Sequence, residues 1–272
     1  EDYVLYIQSN KTLLSKAKDG NYDIPCFSDF PMEKPRLKMK AYYLFSIDDR
    51  GYYYVTEMVQ GEENGYEFCP TSVFRNLKPM YQAFAGITAT QIHRFKESRK
   101  FCGRCGHVME DSKTERALVC PFCGQVEYPK ISPAVIVAVT DGDRLLMSRY
   151  RVSHNPYRSY ALIAGFVEIG ETFEETVHRE VMEEVGLRVK NIRYYKSQPW
   201  AFSDTEMIGF FAELDGDDTI TLQEDELSEA GWFHRSEIPD ETSMNSIGSE
   251  LKMVFKYGSM EAFLAQTSSQ KD

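Results

Sequence analysis

The chain has 272 residues, 42% of them hydrophobic, and a formal net charge of −11, so it can bury one large core or two ordinary ones. The acidic balance argues against a general nucleic-acid coat protein, because binding to a phosphate backbone requires clustered Lys and Arg. The sequence contains no run of 18 apolar residues and no basic, apolar leader at its start. We therefore expect a cytoplasmic protein with no membrane partner.

Residues 1–97 are predicted to form an N-terminal α+β domain. Short aromatic-rich strands are expected at Tyr3–Ile7, Ala41–Ile47 and Tyr52–Met58, separated by loops that carry Pro and Gly. A helix is expected over about Val73–Lys96. No residue pattern in this domain indicates a catalytic site.

Residues 98–128 contain two Cys-x-x-Cys pairs with 14 residues between them. Each pair places two thiolates on one side of a tight turn, and two such turns complete a tetrahedral four-sulfur shell that suits structural Zn²⁺. A redox-active dithiol is the competing interpretation. The predicted zinc ligands are Cys102, Cys105, Cys120 and Cys123. The two remaining cysteines, Cys26 and Cys69, are expected to be ordinary free thiols.

Residues 129–266 are predicted to form an α/β/α sandwich around a mixed sheet, and residues 267–272 a disordered tail. Alternating apolar residues and turn signals indicate strands at 134–140, 144–150, 160–166, 189–202, 206–214 and 229–235. A last helical stretch is expected over about Ser246–Leu264. The chain as a whole is therefore assigned to the α+β class, with a catalytic sandwich at its C-terminal end.

One segment of this sandwich carries most of the chemistry. From Thr172 to Val185 the chain lacks Gly and Pro and has valines at four-residue steps, which predicts a helix. Glu180, Glu183 and Glu184 share one face of that helix at 100° per residue. Clustered carboxylates repel unless cations neutralise them, and oxygen ligands favour Mg²⁺ or Mn²⁺. A catalytic divalent-metal site is predicted here; a solvated acidic face is the alternative.

Two segments resemble a known family. The stretch from Gly165 to Leu187, GFVEIGETFEETVHREVMEEVGL, resembles the Nudix box, and residues 197–205, SQPWAFSDT, resemble the SQPWPFPxS signature of NADH pyrophosphatases. Within that signature Ala201, Ser203 and Thr205 replace Pro, Pro and Ser, which predicts a looser loop. The likeness extends over the cysteine pairs and the segments at 128–133 and 226–232, or about residues 98–265.

The resemblance implies a function. Members of this family cleave the pyrophosphate bond of NADH or NAD to nicotinamide mononucleotide and AMP, can remove NAD caps from RNA, and assemble as homodimers. Carried over by position, the divalent metals would be held by Glu180, Glu183, Glu184, Glu226 and the Ala164 carbonyl. Phe166 and Trp200 would enclose the nicotinamide ring, with Trp200 reaching across the dimer. The nucleotide site would also be lined by Tyr128, Gln198, Pro199, Ala201, Phe202, Ser203, Asp204, Thr205 and Gly248, the last standing where the family usually has Ala.

The mechanism expected from these residues is metal-assisted attack of water on one phosphorus. Glu184 is the leading candidate to orient or deprotonate the water, with Glu226 as its rival. Arg179 is expected to pair with Glu171 and so tie the loop to the helix. Gly165 and Gly170 are expected to permit close turns of that loop.

Three other interpretations remain open from the sequence. The chain could hydrolyse another nucleoside diphosphate such as ADP-ribose, could bind RNA through its zinc ribbon, or could be an inactive scaffold of the same fold. The three aromatic side chains Phe166, Trp200 and Tyr128 could equally pack in a core or a dimer interface.

Overall fold

The computed structural model describes residues 1–17, 20–30, 41–56, 65–151, 160–223, 225–241 and 244–269. The chain divides into two compact units. The first unit comprises Glu1–Lys130 together with Ala201–Asp204, and the second unit comprises Ile131–Trp200 together with Thr205–Asp272.

The first unit is built on a six-stranded sheet. Its strands are β1 (Tyr3–Gln8), β2 (Lys11–Lys16), β3 (Tyr22–Asp23), β4 (Ala41–Ile47), β5 (Arg50–Val55) and β6 (Tyr66–Pro70). They are ordered β3-β2-β1-β5-β4, with β6 beside β2. Strands β1 and β5 are parallel and the other pairs antiparallel. The strands expected near Tyr3, Ala41 and Tyr52 are therefore confirmed, while Met58 lies outside the described residues.

Helix α1 (Met80–Ser98) covers this sheet, with Ala85, Ala89 and Ile92 in its buried core. The prediction of a helix from Val73 is wrong at its start, because Thr71–Arg75 forms only a short 3₁₀ turn. Pro79 immediately precedes α1. A proline disfavours helical conformation in the residue before it and cannot donate a backbone hydrogen bond, which separates the two elements.

A small antiparallel sheet follows α1 within the first unit. It contains β7 (Glu110–Asp111), β8 (Leu118–Val119) and β9 (Val126–Glu127). Phe95 of α1 packs with Met109 and Leu118 in one buried cluster that also includes cysteines 102 and 120. The metal-binding segment thus shares an apolar core with the end of α1.

The second unit is an α/β/α sandwich around a mixed sheet, as the sequence predicts. Its strands are β10 (Ser132–Asp141), β11 (Arg144–Tyr150), β12 (Ile163–Phe166), β13 (Val189–Trp200), β14 (Thr205–Leu214) and β15 (Leu227–His234). The order is β13-β14-β10-β11-β15, with β12 also beside β10. Only β10 and β14 among these pairs run parallel.

Alternating residues of β10 enter two separate cores, since successive side chains of a strand point to opposite faces. Val135, Val137 and Val139 pack against α2 (Phe173–Val185), which contributes its valines at 177, 181 and 185. Ala138 packs on the other side with α3 (Ile247–Tyr257). These two buried layers place α2 and α3 on opposite faces of the sheet.

The C-terminal helical stretch consists of two helices rather than one. Helix α3 ends at Gly258, whose φ of 87° breaks the helix, and α4 spans Met260–Ser269. The last helix therefore extends three residues into the predicted disordered tail, and residues 270–272 lie outside the described part.

Within the described ranges, no helix combines the length and apolar character needed to cross a bilayer.

Candidate functional site

Helix α2 begins at a cap that its own sequence supplies. The Glu175 backbone N–H donates to the Thr172 hydroxyl over 3.2 Å, and the Thr172 N–H donates to the Glu175 carboxylate over 2.8 Å. This reciprocal capping box satisfies two of the backbone donors that a helix start leaves unpaired. Gly186, with a φ of 71°, ends the helix. The cap and the buried valine face together fix the position from which the glutamates project.

Arg179 ties the preceding loop to this helix. Its guanidinium donates to Glu171 over 2.6 and 2.9 Å and to the Phe166 carbonyl over 2.9 Å. This ion pair lowers the pKa of Glu171 to about 2, with the Glu168 backbone N–H as a further cause. The predicted pairing of Arg179 with Glu171 is confirmed. The same guanidinium also reaches Glu180 over 2.7 Å and Glu183 over 3.1 Å.

Position 165 must be glycine because the Glu180 side chain packs against it, and not because the chain turns there. It lies inside β12, and a Cβ atom at this position would overlap the Glu180 carboxyl group. The expectation that Gly165 permits a close turn is therefore wrong, whereas Gly170 does adopt a turn conformation, with a φ of 94°. Burial raises the pKa of Glu180 above its usual range, although the Arg179 guanidinium opposes the shift.

Glu184 is the most buried acidic side chain of the helix, with only 1% of its surface exposed. Burial, and then the charges of Glu226 and Glu180, raise the pKa of Glu184 to about 8, while the backbone N–H of Ala164 opposes the shift. Its Oε2 atom is buried without a hydrogen-bond partner in the described structure. A buried, unpaired carboxylate oxygen among other carboxylates is costly unless a cation binds there.

The other two predicted metal ligands lie near Glu184 but are held differently. The Glu183 side chain is 55% exposed and pairs with Arg179. Glu226 directly precedes β15, and its backbone carbonyl accepts from the Arg151 N–H over 3.0 Å. The chain thus brings Glu180, Glu184 and Glu226 within electrostatic reach of one another.

The donor set fits a hard divalent cation. All its side-chain ligands are carboxylates, one buried oxygen of Glu184 has no hydrogen-bond partner among the described residues, and burial followed by the neighbouring carboxylate charges raises the pKa of Glu184. Among the described residues, the glutamate oxygens do not all lie within 4.8 Å of one another, unlike the four cysteine sulfurs. The Arg179 guanidinium lies between Glu180 and Glu183 and neutralises part of the negative charge of these two carboxylates.

The four ribbon cysteines converge on one point. Their sulfur atoms all lie within 4.8 Å of one another, with three separations of 3.4–3.6 Å. A tetrahedral zinc site with Zn–S bonds of 2.3 Å has sulfurs about 3.8 Å apart. None of these four cysteines forms a disulfide, and neither do Cys26 and Cys69. The cluster is the metal-binding group of a zinc ribbon, as predicted.

Two similar turns build this cluster. In each turn the first cysteine N–H donates over 2.8 Å to the carbonyl five residues on, and Gly106 and Gly124 adopt φ values of 77° and 73°. Backbone N–H groups of Cys123 and Phe122 lower the pKa of Cys120 to about 6, with neighbouring thiols contributing. Lowering this pKa favours the thiolate form that binds metal.

Three of the predicted substrate residues share one face of the second unit's sheet. The register across β12, β10, β14 and β13 aligns Phe166, Ala134, Met207 and Gln198. Trp200 lies two residues beyond Gln198 and so points to the same face. The backbones of Phe166 and Trp200 are separated by three strand spacings and two residues along the strand, or about 16 Å. The Phe166 side chain is 53% exposed.

Gln198 and Gly248 meet at the start of α3 on this same face. The Gln198 side chain accepts from the Ile247 N–H over 2.6 Å and donates to the Asn245 carbonyl over 3.1 Å. A Cβ atom at Gly248 would come within 3.0 Å of Ile136 Cδ1. Both functional groups of Gln198 are therefore engaged in holding the helix start, a role that sequence reasoning did not foresee.

The remaining predicted substrate residues are divided between the units. Pro199 and Thr205 lie in β13 and β14 of the second unit, whereas Tyr128 and the residues 201–204 belong to the first unit. Tyr128 is 60% exposed and donates to Glu115 over 2.7 Å. Its part in a nucleotide site stays a prediction.

The turn of residues 201–204 is fixed by packing although it lacks the family's prolines. Ala201 is buried in the core of the first unit, and Phe202 packs beside it under the guanidinium of Arg75. Arg94 donates to the Ala201 carbonyl and forms an ion pair with Asp204. Arg94 therefore holds this turn in place although the prolines are missing. No sequence motif marks this arginine.

One residue near the carboxylates carries no signal in the sequence. Burial, and then the charges of Glu184, Glu226 and Glu180, raise the pKa of Tyr150, the last residue of β11. In the sequence it ends an ordinary apolar strand. Only the pairing of β11 with β15 brings it beside Glu226.

Comparison with known proteins identifies both parts of this arrangement. Residues 130–251 match the NUDIX domain model and residues 97–128 match the NADH pyrophosphatase zinc ribbon domain. A crystal structure of a NUDIX hydrolase from Nitrosomonas europaea superposes with a TM-score of 0.50 at 24% identity, covering 58% of this chain and 90% of that one. The sandwich of the second unit therefore has the Nudix fold.

Two curated relatives extend the likeness. The "NAD-capped RNA hydrolase NudC" of Haemophilus influenzae is 46% identical over 144 residues, or 53% of this chain and 54% of the relative. The protein of the same name from Chromobacterium violaceum is 47% identical over 161 residues, or 59% and 60%. The chain thus spans little more than half the length of the curated relatives it matches. It belongs to the Nudix hydrolase family, in the group that carries the NADH pyrophosphatase zinc ribbon, which confirms the resemblance.

Proposed function

We propose that this protein is a metal-dependent hydrolase of NADH and NAD, which releases nicotinamide mononucleotide and AMP. One observation carries the proposal most directly. Gly165, against which the Glu180 carboxylate packs, is followed in β12 by the exposed ring of Phe166. Phe166 thus offers a flat base a stacking surface on the strand whose preceding residue, Gly165, leaves room for the Glu180 carboxylate.

The chain's own residues would divide the work. A divalent ion, when bound, neutralises charge on the phosphate oxygens and lowers the pKa of water. Glu180, Glu183, Glu184 and Glu226 would hold the metals, with the Ala164 carbonyl as a further ligand. Glu184 would orient or deprotonate the attacking water, supported by its burial and its raised pKa. Arg179 holds the loop before α2 against that helix through its hydrogen bonds to Glu171 and the Phe166 carbonyl.

The aromatic residues support a dimeric site. A sandwiched ring requires two aromatic faces about 7 Å apart, whereas the backbones of Phe166 and Trp200 lie about 16 Å apart in one chain. We infer that Trp200 of a second copy completes the nicotinamide site. NAD-capped RNA, the substrate in the names of both relatives, is proposed as a second substrate recognised through its cap.

A hydrolysis screen tests this proposal. Purified protein with Mg²⁺ or Mn²⁺ is incubated with NADH, NAD, NAD-capped RNA, ADP-ribose, diadenosine phosphates and nucleoside triphosphates. We expect the highest kcat/KM on NADH or NAD, with both mononucleotides as products and none formed in EDTA. Preference for ADP-ribose, or binding of RNA without hydrolysis, would contradict the proposal.

Replacing Trp200 with Ala is expected to raise KM for NADH by a factor of roughly 5 to 150, since one lost stacking partner is worth about 1 to 3 kcal/mol. Hydrolysis of a dinucleotide without nicotinamide, such as diadenosine diphosphate, should change much less. The measurement is steady-state kinetics on both substrates. Tyr194→Ala, which removes an exposed ring from the same strand, is the control and should leave both unchanged. An equal loss on both substrates would make Trp200 a structural residue.

A further inference from the structure

The first unit contains a cleft beside the last turns of α1. Its volume is about 1020 Å³, and every residue that lines it belongs to the first unit. Its walls are the end of β1 with the turn that follows, the end of β5, and residues between 91 and 99 around the C-terminal end of α1. Sites for small organic ligands measure about 300–1,000 Å³. The cleft is therefore large enough for an organic ligand and much larger than an inorganic ion requires.

A buried histidine lines this cleft. His93 is 6% exposed, and its Nδ1 atom lies 2.8 Å from the hydroxyl of Tyr54, which is also buried. Burial raises the pKa of Tyr54 to about 12 and lowers the pKa of His93, so both groups are neutral near pH 7. The Tyr54 hydroxyl has no acceptor except Nδ1 among the described residues. The imidazole therefore carries its own hydrogen on Nε2, which makes no hydrogen bond within the described part of the chain.

The lining also carries a small excess of positive charge, with three cationic side chains and two carboxylates. Lys130 is exposed and forms no ion pair within the described residues, and its backbone carbonyl accepts from Gln91 of α1 over 3.1 Å. Arg99, just after α1, has a long ion pair of 3.7 Å with Glu127. Lysine and arginine are the side chains that bind phosphate groups. Together with the donor on the buried histidine, they make the cleft suitable for a phosphate group.

The cleft offers acceptors and amide groups as well. Its two carboxylates differ, because Asp204, which the family resemblance places in the substrate site, is paired with Arg94. Glu97 lies one helical turn after the buried histidine and is the lining carboxylate left to accept hydrogen bonds. Gln8 and Asn10 supply amide side chains to the opposite wall. Sugar hydroxyls donate to carboxylates, and amide side chains pair with the edges of bases.

We propose that this cleft binds a ribonucleoside monophosphate, with the phosphate held by Lys130, Arg99 and Nε2 of His93 and the sugar hydroxyls directed toward Glu97. None of these four residues is a predicted metal ligand, and binding in the cleft requires no divalent ion. Both products of the proposed hydrolysis, AMP and nicotinamide mononucleotide, belong to this chemical class.

The test is calorimetric titration of the whole chain in buffer without divalent metal. The ligands are AMP, nicotinamide mononucleotide, adenosine and inorganic phosphate. We expect one mononucleotide to bind per chain, and adenosine and inorganic phosphate to bind at least about 10-fold more weakly, because each lacks part of the contacts. Lys130→Ala should weaken AMP binding about 5- to 10-fold. Lys113→Ala, which removes an exposed lysine of the same unit outside the cleft, is the matched control and should bind AMP like the wild type.

Two substitutions of His93 test the donor itself. Asparagine places its amide near Nδ1 and can still accept from Tyr54, whereas glutamine places an N–H near Nε2. We expect His93→Asn to weaken AMP binding as Lys130→Ala does, and His93→Gln to retain it within a few-fold.

Three results would overturn the inference. They are no AMP binding by the wild type, equal AMP affinity of the wild type and Lys130→Ala, and loss of AMP binding in Phe166→Ala, which would place the nucleotide in the substrate site instead. The surface change at Lys130 decides the matter even where a change at the buried His93 impairs folding. Because the titration involves neither divalent metal nor turnover, its outcome is independent of the hydrolysis screen.

Discussion

The Glu184→Gln protein is expected to lose at least about 10²-fold in kcat for NADH hydrolysis, or roughly 3 kcal/mol of transition-state stabilisation. Glutamine has the size of glutamate but neither binds a divalent ion well nor accepts a proton from water. The side chain is buried, so no solvent-exposed group can replace it. The measurement is steady-state turnover at saturating Mg²⁺ and NADH.

The stability of the same variant separates chemistry from folding. Because the folded state raises the pKa of Glu184 to about 8, stability contributed by the protonated form is lost as pH rises from the ordinary carboxyl range through 8. Glutamine has no proton to lose and stays neutral over this pH range. The metal-free variant should therefore melt no lower than the wild type at pH 7.5 and higher.

A surface glutamate of the same helix provides the control. Glu174 lies exposed in the first turn of α2, and Glu174→Gln should keep wild-type turnover. A Glu184→Gln protein that folds normally and also keeps wild-type turnover would remove Glu184 from the mechanism. Glu226, its nearest acidic neighbour by electrostatic effect, would then be the next residue to test.

The Cys120→Ser protein is expected to lose its bound zinc and to melt on the order of 10 °C lower, as a loss of about 3 kcal/mol would produce in a chain of this size. Cys120 is buried beside Phe95, Met109 and Leu118. Loss of the metal therefore loosens an apolar cluster at the end of α1 as well as the ribbon. Zinc content by mass spectrometry and melting by calorimetry should fall together.

Cys26→Ser is the matched control for this variant. Cys26 lies in the same unit, and burial together with the nearby Asp29 raises its pKa to about 11, so it remains a thiol and not a metal ligand. Zinc content should be unchanged. If purified wild-type protein held less than about half an equivalent of zinc with all thiols reduced, the redox interpretation would replace the structural one.

Features that depend on nearby residues were readable from the sequence. Helix α2 carries its own capping box, its valine periodicity and its terminal glycine, so its limits at Thr172 and Gly186 need no tertiary information. The two cysteine turns are equally local. The strands of the second unit follow from alternation, since each buries one set of side chains in each core.

Features that depend on distant pairing were not readable. Arg94 fixes the turn at Ala201 through contacts more than a hundred residues apart in the chain, and no local pattern marks it. Tyr150 comes beside Glu226 through a shifted register of β11 with β15, which pairs it with Leu227. The early start predicted for α1 failed because apolar periodicity continues through Pro79, where the backbone cannot follow it. The contacts of Arg94 and Tyr150 thus leave no local signal, whereas the start of α1 is set locally by Pro79.

The contact between Gly165 and Glu180 has a consequence for how this chain can vary. The carboxyl group of Glu180 fills the space in which any side chain at position 165 would lie. The two positions are therefore epistatic: adding a methyl group at 165 harms the protein only while a long side chain occupies 180. In a library of variants, glycine at 165 would be selected strongly wherever metal binding is selected, and would drift once Glu180 is shortened.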